Sequence, residues 1–383
     1  MRTIGVVTAA RSDYGIYLPV LQRIQEEPGL SLHLIVTGMH LSPEFGLTVR
    51  AIEQDGFEIG ERVEMLLSSD TPEGIGKSMG LGTVGFAQTY ARVRPDILLV
   101  LGDRFEMHAA VVAALPFKIP VAHIHGGEST EGAIDDAIRH SITKMSHLHF
   151  AATETYAHRV IQMGEEPWRV VVSGAPSLDN LHRIPLLGRE ELEKQYGLHL
   201  RDPLLLVTYH PVTLEYEQTG IQVRELLAAL EEMDATTIFT YPNADTHSRI
   251  VIEMIREFAS QRQWAEVMVN LGTQGYFSMM KYAAAMIGNS SSGIIEAASL
   301  KLPVVNIGIR QQGRLRAKNV IDVGCARAEI VAAGEKAVSS QFRSSLDDLV
   351  NPYGDGHAAE RIVAKLKQVK LNDDLLQKHF YES

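Results

Sequence analysis

At 383 residues the chain is too long for one average domain and suits two, each large enough to bury its own core. With 22% charged and 45% hydrophobic residues it has the composition of an ordinary soluble globular protein, not a disordered or fibrous one. The net charge of -11, from 36 basic and 47 acidic residues, argues against a nucleic-acid or anionic-membrane surface, so any polyanionic ligand needs a local basic site.

Met1-Arg2-Thr3 leads directly into a strand, with no secretory h-region, and no apolar run reaches the roughly 18 residues of a membrane helix. Thr3–Thr8 is a β-branched apolar run, hence a buried strand. Arg11 to Gly15 follow it and open a helix with apolar spacing through Ile16, Leu18, Val20, Leu21 and Ile24. Leu32–Val36 is the next strand, and a loop from Ser68 to Gly76 precedes a helix from about Lys77 to Arg92. Ile97–Leu101 and Val121–Ile124 are further buried strands, and His147–Ala152 and Val170–Val172 complete the first half. Strand alternating with helix predicts a parallel, doubly wound sheet.

Polar sequence from Ser177 to about Leu187 reads as a linker, after which the pattern repeats. Strands are expected at Leu204–Thr208, Thr237–Thr240, Ala284–Gly288 and Val304–Ile307, with a helix over Arg224–Met233. The fold class is thus α/β, with two doubly wound domains facing each other across a cleft, a common place for ligands. The expected boundaries are 1–178 and 188–364, with a C-terminal helix in 365–383 crossing back onto the first domain. A helical pattern runs from His357 to about Lys370. Cys325 is the only cysteine, which excludes an intramolecular disulfide and a cysteine metal cage and fits a reducing cytoplasm.

Two motifs are refused. Gly80-x-Gly82-x-x-Gly85 matches the dinucleotide fingerprint, but no strand precedes it and its surroundings are helical. The histidines around His108 to His149 are dense, yet with no HExxH and no second cysteine no metal is expected.

Four constellations carry chemistry. Arg11 and Gly15 stand at a helix start, where free N–H groups suit phosphate; a plain helix cap is the bland alternative. Asp103-Arg104, with Glu106, stands at a strand exit, either as a local ion pair or as a diphosphate-binding arginine beside an acid–base carboxylate. Glu128, Asp135 and Asp136 form a carboxylate group that can separate one acid from one base, although Asp135 and Asp136 also complement a helix dipole. The sharpest is Gly288 to Glu296, where Ser290, Ser291 and Ser292 offer donors at a helix N-terminus to a diphosphate and Glu296 can accept from a ribose diol.

Taken together, GDR (102–104), HIHGGE (123–128), IDDAIRHSITK (134–144), HPVT (210–213), YPN (241–243), GNSSSGIIE (288–296) and IGIRQQGR (307–314) carry a family likeness. The chain resembles the hydrolysing UDP-N-acetylglucosamine 2-epimerases of sialic- and legionaminic-acid biosynthesis, from Arg11 to about Gly356. The resemblance implies two Rossmann-like domains of glycosyltransferase-B architecture, no cofactor, and a homodimer or homotetramer. It implies conversion of a nucleotide sugar to free N-acetylmannosamine, or an analogue, plus UDP. By the same resemblance Arg11, Arg104, Asn243, Ser290, Ser291, Glu296 and Arg310 contact the nucleotide and His210 lies by the diphosphate. Asp103 and the acidic residues from Glu128 to Asp136 serve the sugar, and His125 and Arg139 join the substrate-binding set. In many members a glutamate precedes the Gly-Gly pair; here that residue is His125.

The implied chemistry removes the C2 proton while the C1–O bond breaks, forms a 2-acetamidoglycal, and adds water back with inverted C2. That needs a placed base and a stabilised leaving group. Asp103 and Asp135 are the first choices for the base. UDP-N-acetylglucosamine, or a close analogue, is the first expectation for the substrate, and the UDP- or GDP-linked 2,4-diacetamido-2,4,6-trideoxyglucose of the legionaminic acid pathway is the alternative. A glycosyltransferase and a non-catalytic nucleotide-sugar sensor are the readings from other classes.

Overall fold

A computed structural model describes residues 1–382 apart from 132, 243–246 and 270, and apart from the side chain of Thr213. The chain divides into two compact units, each with its own parallel sheet. The first comprises Met1–Glu128, Asp135–Arg183 and Tyr353–Ser383; the second comprises Ser129–Ile134 and Ile184–Pro352.

The first unit contains β1 (Arg2–Thr8), β2 (Leu30–Thr37), β3 (Ile59–Val63), β4 (Ile97–Leu101), β5 (Val121–Ile124), β6 (Leu148–Ala151) and β7 (Val170–Val172). Their spatial order is β3-β2-β1-β4-β5-β6-β7. The order reverses between β1 and β4, where Ile4–Val6 lie in register with Ile97–Leu99. β4 and β5 are buried at every position, as central strands covered on both faces are. Leu98, Val100 and Val121 pack there with Phe86, Tyr90, Phe105 and Met107.

The second unit contains β8 (Leu204–Thr208), β9 (Thr236–Thr240), β10 (Ala265–Met268), β11 (Ala285–Gly288), β12 (Val304–Ile307) and β13 (Val320–Val323). The order β10-β9-β8-β11-β12-β13 reverses between β8 and β11, so both units have the doubly wound arrangement. In such sheets ligands favour the carboxyl ends of the strands at the reversal. In this chain those ends carry Arg11, Asp103 and Arg104 in one unit, and His210 and Ser290 in the other.

Several expectations shift. The helix expected from Lys77 begins at Pro72, with Thr71 accepting from Gly74 N–H at 3.1 Å as its cap. Gly80, Gly82 and Gly85 all lie inside this helix, so the fingerprint is a helix surface; Gly82 is there because a Cβ would meet Met65 and Ala109. The supposed linker is not irregular. Pro176–Asp179 and Asn180–Arg183 are short helical turns within the first unit, and Asn180 Nδ2 donates to Gly15 O at 2.7 Å. The Asp179 oxygens accept from the N–H groups of Ala358 and Ala359 at 2.9 and 2.8 Å, capping the helix Ala358–Gln368. The return to the first unit therefore begins at Tyr353, not near residue 365.

Candidate active site

At the exit of β1, the chain turns into the helix Arg11–Glu26. Its free N–H groups are partly met from within: Asp13 Oδ2 accepts from Ala9 and Ala10 N–H at 3.3 and 3.1 Å. Burial pushes the Asp13 carboxyl up to about 6; Arg104 opposes the rise and Glu106 adds to it. Arg11 itself is half-buried at the first helical position.

Arg104 follows β4 and is buried. Its Nε and Nη2 donate to the two carboxylate oxygens of Glu106 at 3.2 and 2.8 Å, a forked geometry that fixes the guanidinium plane. The local ion pair at this strand exit is thus real, but Glu106 is its acid and Asp103 is not. His40, which the sequence reading passed over, lies between Thr8 Oγ1 (3.0 Å) and Thr48 Oγ1 (2.7 Å). Burial and the nearby Arg104 charge hold its pKa down at about 3, so it is neutral. Its position just after β2 was the available signal.

Asp103 instead pairs with Arg139 of the helix Asp135–Met145. Arg139 is fully buried and is a hub: Nη2 donates to Asp103 Oδ2, while Nη1 donates to the Glu128 carbonyl at 3.1 Å and to Asp136 Oδ1 at 3.4 Å. Expected as a substrate contact, Arg139 reaches no solvent and acts as an organiser of three predicted acidic residues. Asp136 also faces His140 Nε2 at 3.4 Å, and Asp135 begins the helix, where its charge suits the dipole.

Beside this hub, His125 Nδ1 donates to Glu128 Oε1 at 2.5 Å, with both side chains buried. His125 has φ +65°, a left-handed conformation uncommon for a residue with a Cβ. His123, two residues earlier on β5, is neutral, its pKa lowered to about 3 by burial. Its Nε2–H donates to Gly102 O at 2.7 Å, and Nδ1 accepts from Thr143 Oγ1 at 3.2 Å. The β4 and β5 exits are thereby tied together. Asp103, His125, Glu128, Asp136 and Arg139 form one connected group; Asp13, Arg104 and Glu106 form another at the reversal of the same sheet, where Arg11 also stands.

In the second unit the organiser is Asn289, which follows β11 and is fully buried. Its Oδ1 accepts from His210 N–H at 2.7 Å and its Nδ2 donates to His210 O at 2.8 Å, so one side chain continues the ladder between β8 and β11. Its own carbonyl accepts from Arg310 Nη1 at 3.3 Å and Gln311 Nε2 at 2.8 Å. Gly288 makes this possible: at φ +138° a Cβ would lie 2.0 Å from Thr208 O. Ser290 caps the short helix Ser291–Ile295 through Ser292 N–H at 3.3 Å. Ser290, Ser291 and Ser292 are all half-buried, leaving donors at the surface of this unit. Burial raises the pKa of the Tyr276 hydroxyl, and Ser292, Thr208 and Ser290 oppose the rise. Glu296 is buried at the end of the serine helix. Asn289, Gln311 and Tyr276 were not picked out from sequence as site residues. Asn243 lies outside the described residues.

Residues 129–134, although continuous with Glu128, belong to the second unit, where Glu131 N–H donates to Gln312 O at 3.0 Å. Among the described residues no group of three His, Cys, Asp or Glu side chains is placed to hold a metal ion. No helix among them is long and apolar enough to cross a membrane.

Comparison with known proteins places these features in a family. Residues 22–367 match the family described as UDP-N-acetylglucosamine 2-epimerase. The chain is 41% identical, over 100% of its length and 99% of the relative's, to the GDP/UDP-N,N'-diacetylbacillosamine 2-epimerase (hydrolyzing) of Campylobacter jejuni. It is 36% identical, over 99% of both chains, to the UDP-N,N'-diacetylbacillosamine 2-epimerase (hydrolyzing) of Legionella pneumophila. Among solved structures, the Neisseria meningitidis UDP-GlcNAc 2-epimerase bound to UDP-GlcNAc superposes with a TM-score of 0.80 at 19% identity, covering 96% of this chain and 99% of that one. That likeness shows the fold, two Rossmann-like units of glycosyltransferase-B type. With the family model spanning most of the chain and relatives above 30% identity along all of it, this protein belongs to the UDP-N-acetylglucosamine 2-epimerase family.

Proposed function

We propose that the protein is a hydrolysing 2-epimerase that converts nucleotide-activated N,N'-diacetylbacillosamine to the free 2-epimeric sugar and a nucleoside diphosphate. The observation that carries this reading is full-length identity of 41% and 36% to two relatives named for that reaction. UDP-N-acetylglucosamine is the second reading. It is favoured by a 31% identical Neisseria meningitidis relative named UDP-N-acetylglucosamine 2-epimerase and a 37% identical Escherichia coli polysialic acid biosynthesis protein.

Roles follow from chemistry. The Ser290–Ser292 donors, Arg310 and His210 take the diphosphate and offset the charge that builds on it as C1–O breaks. Glu296 takes the ribose, and Arg11, Gly15, Arg104 and Asn243 complete the nucleotide set. The acid–base groups for C2 come from the β4 and β5 exits, where Asp103, His125, Glu128, Asp135 and Asp136 stand. Loss of the C2 proton with loss of the diphosphate forms the glycal, and water adds across it to give the opposite C2 configuration. A single cysteine fits a reducing cytoplasm, and a homodimer or homotetramer is part of the same proposal, open to sedimentation.

Proton NMR in D2O with each nucleotide sugar tests the reading. Free 2-epimeric sugar carrying deuterium at C2, with nucleoside diphosphate, is the expected outcome. Nucleotide sugars recovered unchanged, UDP-N-acetylglucosamine included, would sink it.

A further inference from the structure

We propose that His125 is the base that takes the C2 proton, held in place by Glu128; the assignment rests on the 2-epimerase reading above. Four observations converge on this residue. First, His125 sits at the carboxyl end of β5, the end of a parallel sheet where ligands are met. Second, its Nδ1–H is taken up by Glu128 Oε1 at 2.5 Å. That bond selects the tautomer in which Nε2 carries the lone pair, and the carboxylate stabilises the imidazolium formed when Nε2 gains a proton. Third, Nε2 is enclosed and has no hydrogen-bond partner among the described residues. A buried polar atom left so is costly, and such atoms call for a functional explanation. Fourth, the backbone holds His125 at φ +65°, a conformation kept only where the surroundings over-determine it, as at functional sites.

Three of the rival carboxylates are engaged elsewhere, and Asp135 opens the helix, where its charge suits the dipole. Asp103 is engaged by the Arg139 guanidinium, and Asp136 by Arg139 and His140. Glu128 is committed to His125 through one oxygen. Charged and titratable groups near the pair include Arg139, bonded to the Glu128 carbonyl, Arg159, bonded to the Gly127 carbonyl at 2.6 Å, and the neutral His123. Neither arginine bonds the imidazole itself.

In the step assigned to His125, the C2–H pair becomes the C1=C2 bond and the C1–O bond breaks, its electron pair leaving on the diphosphate oxygen. The proton forms the new Nε2–H bond, and the imidazolium faces the Glu128 carboxylate. Both groups being enclosed, water competes little for the lone pair.

The test compares the parent protein with His125→Gln, His125→Glu and Glu128→Gln, after circular dichroism and thermal melting establish that each is folded. Three readouts are followed: sugar release, deuterium entry at C2, and nucleoside diphosphate affinity by calorimetry. His125→Gln is expected to lose about a hundredfold to ten-thousandfold in kcat, with diphosphate affinity unchanged. His125→Glu is expected to recover part of the rate, with the acid limb of kcat/KM moved to lower pH. Glu128→Gln removes the anion facing the imidazolium, so its acid limb also moves to lower pH. It decides the matter if the His125 variants do not fold. Turnover of His125→Gln within tenfold of the parent, or an acid limb of Glu128→Gln that stays in place, overturns the assignment while the epimerase reading stands. A parent protein that neither releases sugar nor exchanges C2 hydrogen overturns both.

Discussion

Arg139 donates through Nη2 to the carboxylate of Asp103, 36 residues earlier in the chain, and so ties the exit of β4 to the helix that follows β5. Its other terminal nitrogen holds the Glu128 carbonyl. One buried guanidinium thus sets the spacing of the acidic groups that the proposed chemistry uses.

Removing that guanidinium leaves an uncompensated carboxylate and an unmet carbonyl. Arg139→Met is expected to lower unfolding stability by about 3 kcal/mol and to abolish turnover, since breaking a buried pair costs more than the pair contributes. Denaturant titration monitored by circular dichroism gives the number. A variant as stable as the parent would show that the hub is dispensable.

Gly288→Ala should disable the second unit's site. The added Cβ would press on the Thr208 carbonyl, a backbone atom that cannot swing aside, in a conformation side chains rarely adopt. A loss of more than about 2 kcal/mol in stability is expected, with UDP binding lost by calorimetry. Undiminished UDP affinity would mean that Asn289 and Ser290 are not placed through Gly288.

Asp13 makes stability pH-dependent. Its carboxyl is raised from 3.8 to about 6 in the fold, so the folded state keeps a proton that the unfolded chain gives up. Below 3.8 both states are protonated and there is no penalty. As pH rises from 3.8 to 6 the unfolded state is favoured progressively, and above 6 the penalty is constant. Asp13→Asn keeps a carbonyl acceptor for Ala9 and Ala10 without the ionisation, so its melting temperature should gain on the parent's across that window. Thermal melts at pH 4, 5, 6 and 7.5 check the sign. A difference that does not change with pH would refute it.

The C-terminal segment is expected to staple the first unit. Lys378 Nζ donates to Lys144 O and Ser146 O at 2.7 and 2.6 Å and to Glu165, and Arg169 donates to the carbonyls of Asp374, Leu375 and Gln377. Burial alone would raise the Glu165 carboxyl, but bonds from His149, Lys144 and Lys378 outweigh it and hold it at about 2. A chain ending at Leu371 leaves Arg169 and Glu165 short of buried partners and should melt several degrees lower, while UDP binding by the second unit persists. Unchanged melting would mean the tail adds nothing.

The central strands could be read directly from the chain. Ile97–Leu101 and Leu204–Leu206 are unbroken apolar runs, and Val121–Ile124 is broken only by the buried His123, because both faces of a central parallel strand are covered. β3, β10 and β13 escaped notice: they lie at sheet edges and carry Glu61, Arg62, Glu266 and Asp322 on half-solvated faces, which blurs the apolar pattern. Local motifs likewise marked strand exits, since a strand exit followed by Gly, Ser or an acid is a short-range property of the chain. Ser290 as a cap and Asp135 at a helix start needed nothing beyond their neighbours.

Partner choice was another matter. That Arg104 takes Glu106 while Asp103 takes Arg139, that Asn289 clasps His210, and that Asp179 caps a helix 179 residues onward depend on which strand ends the topology brings together. Spacing along the chain carries no record of those encounters, because side-chain pairing is decided by burial and geometry after the sheet has ordered its strands. The His125–Glu128 bond lies between: its i,i+3 spacing is visible in sequence, but only the enclosed fold turns a nearby acid and imidazole into an oriented pair.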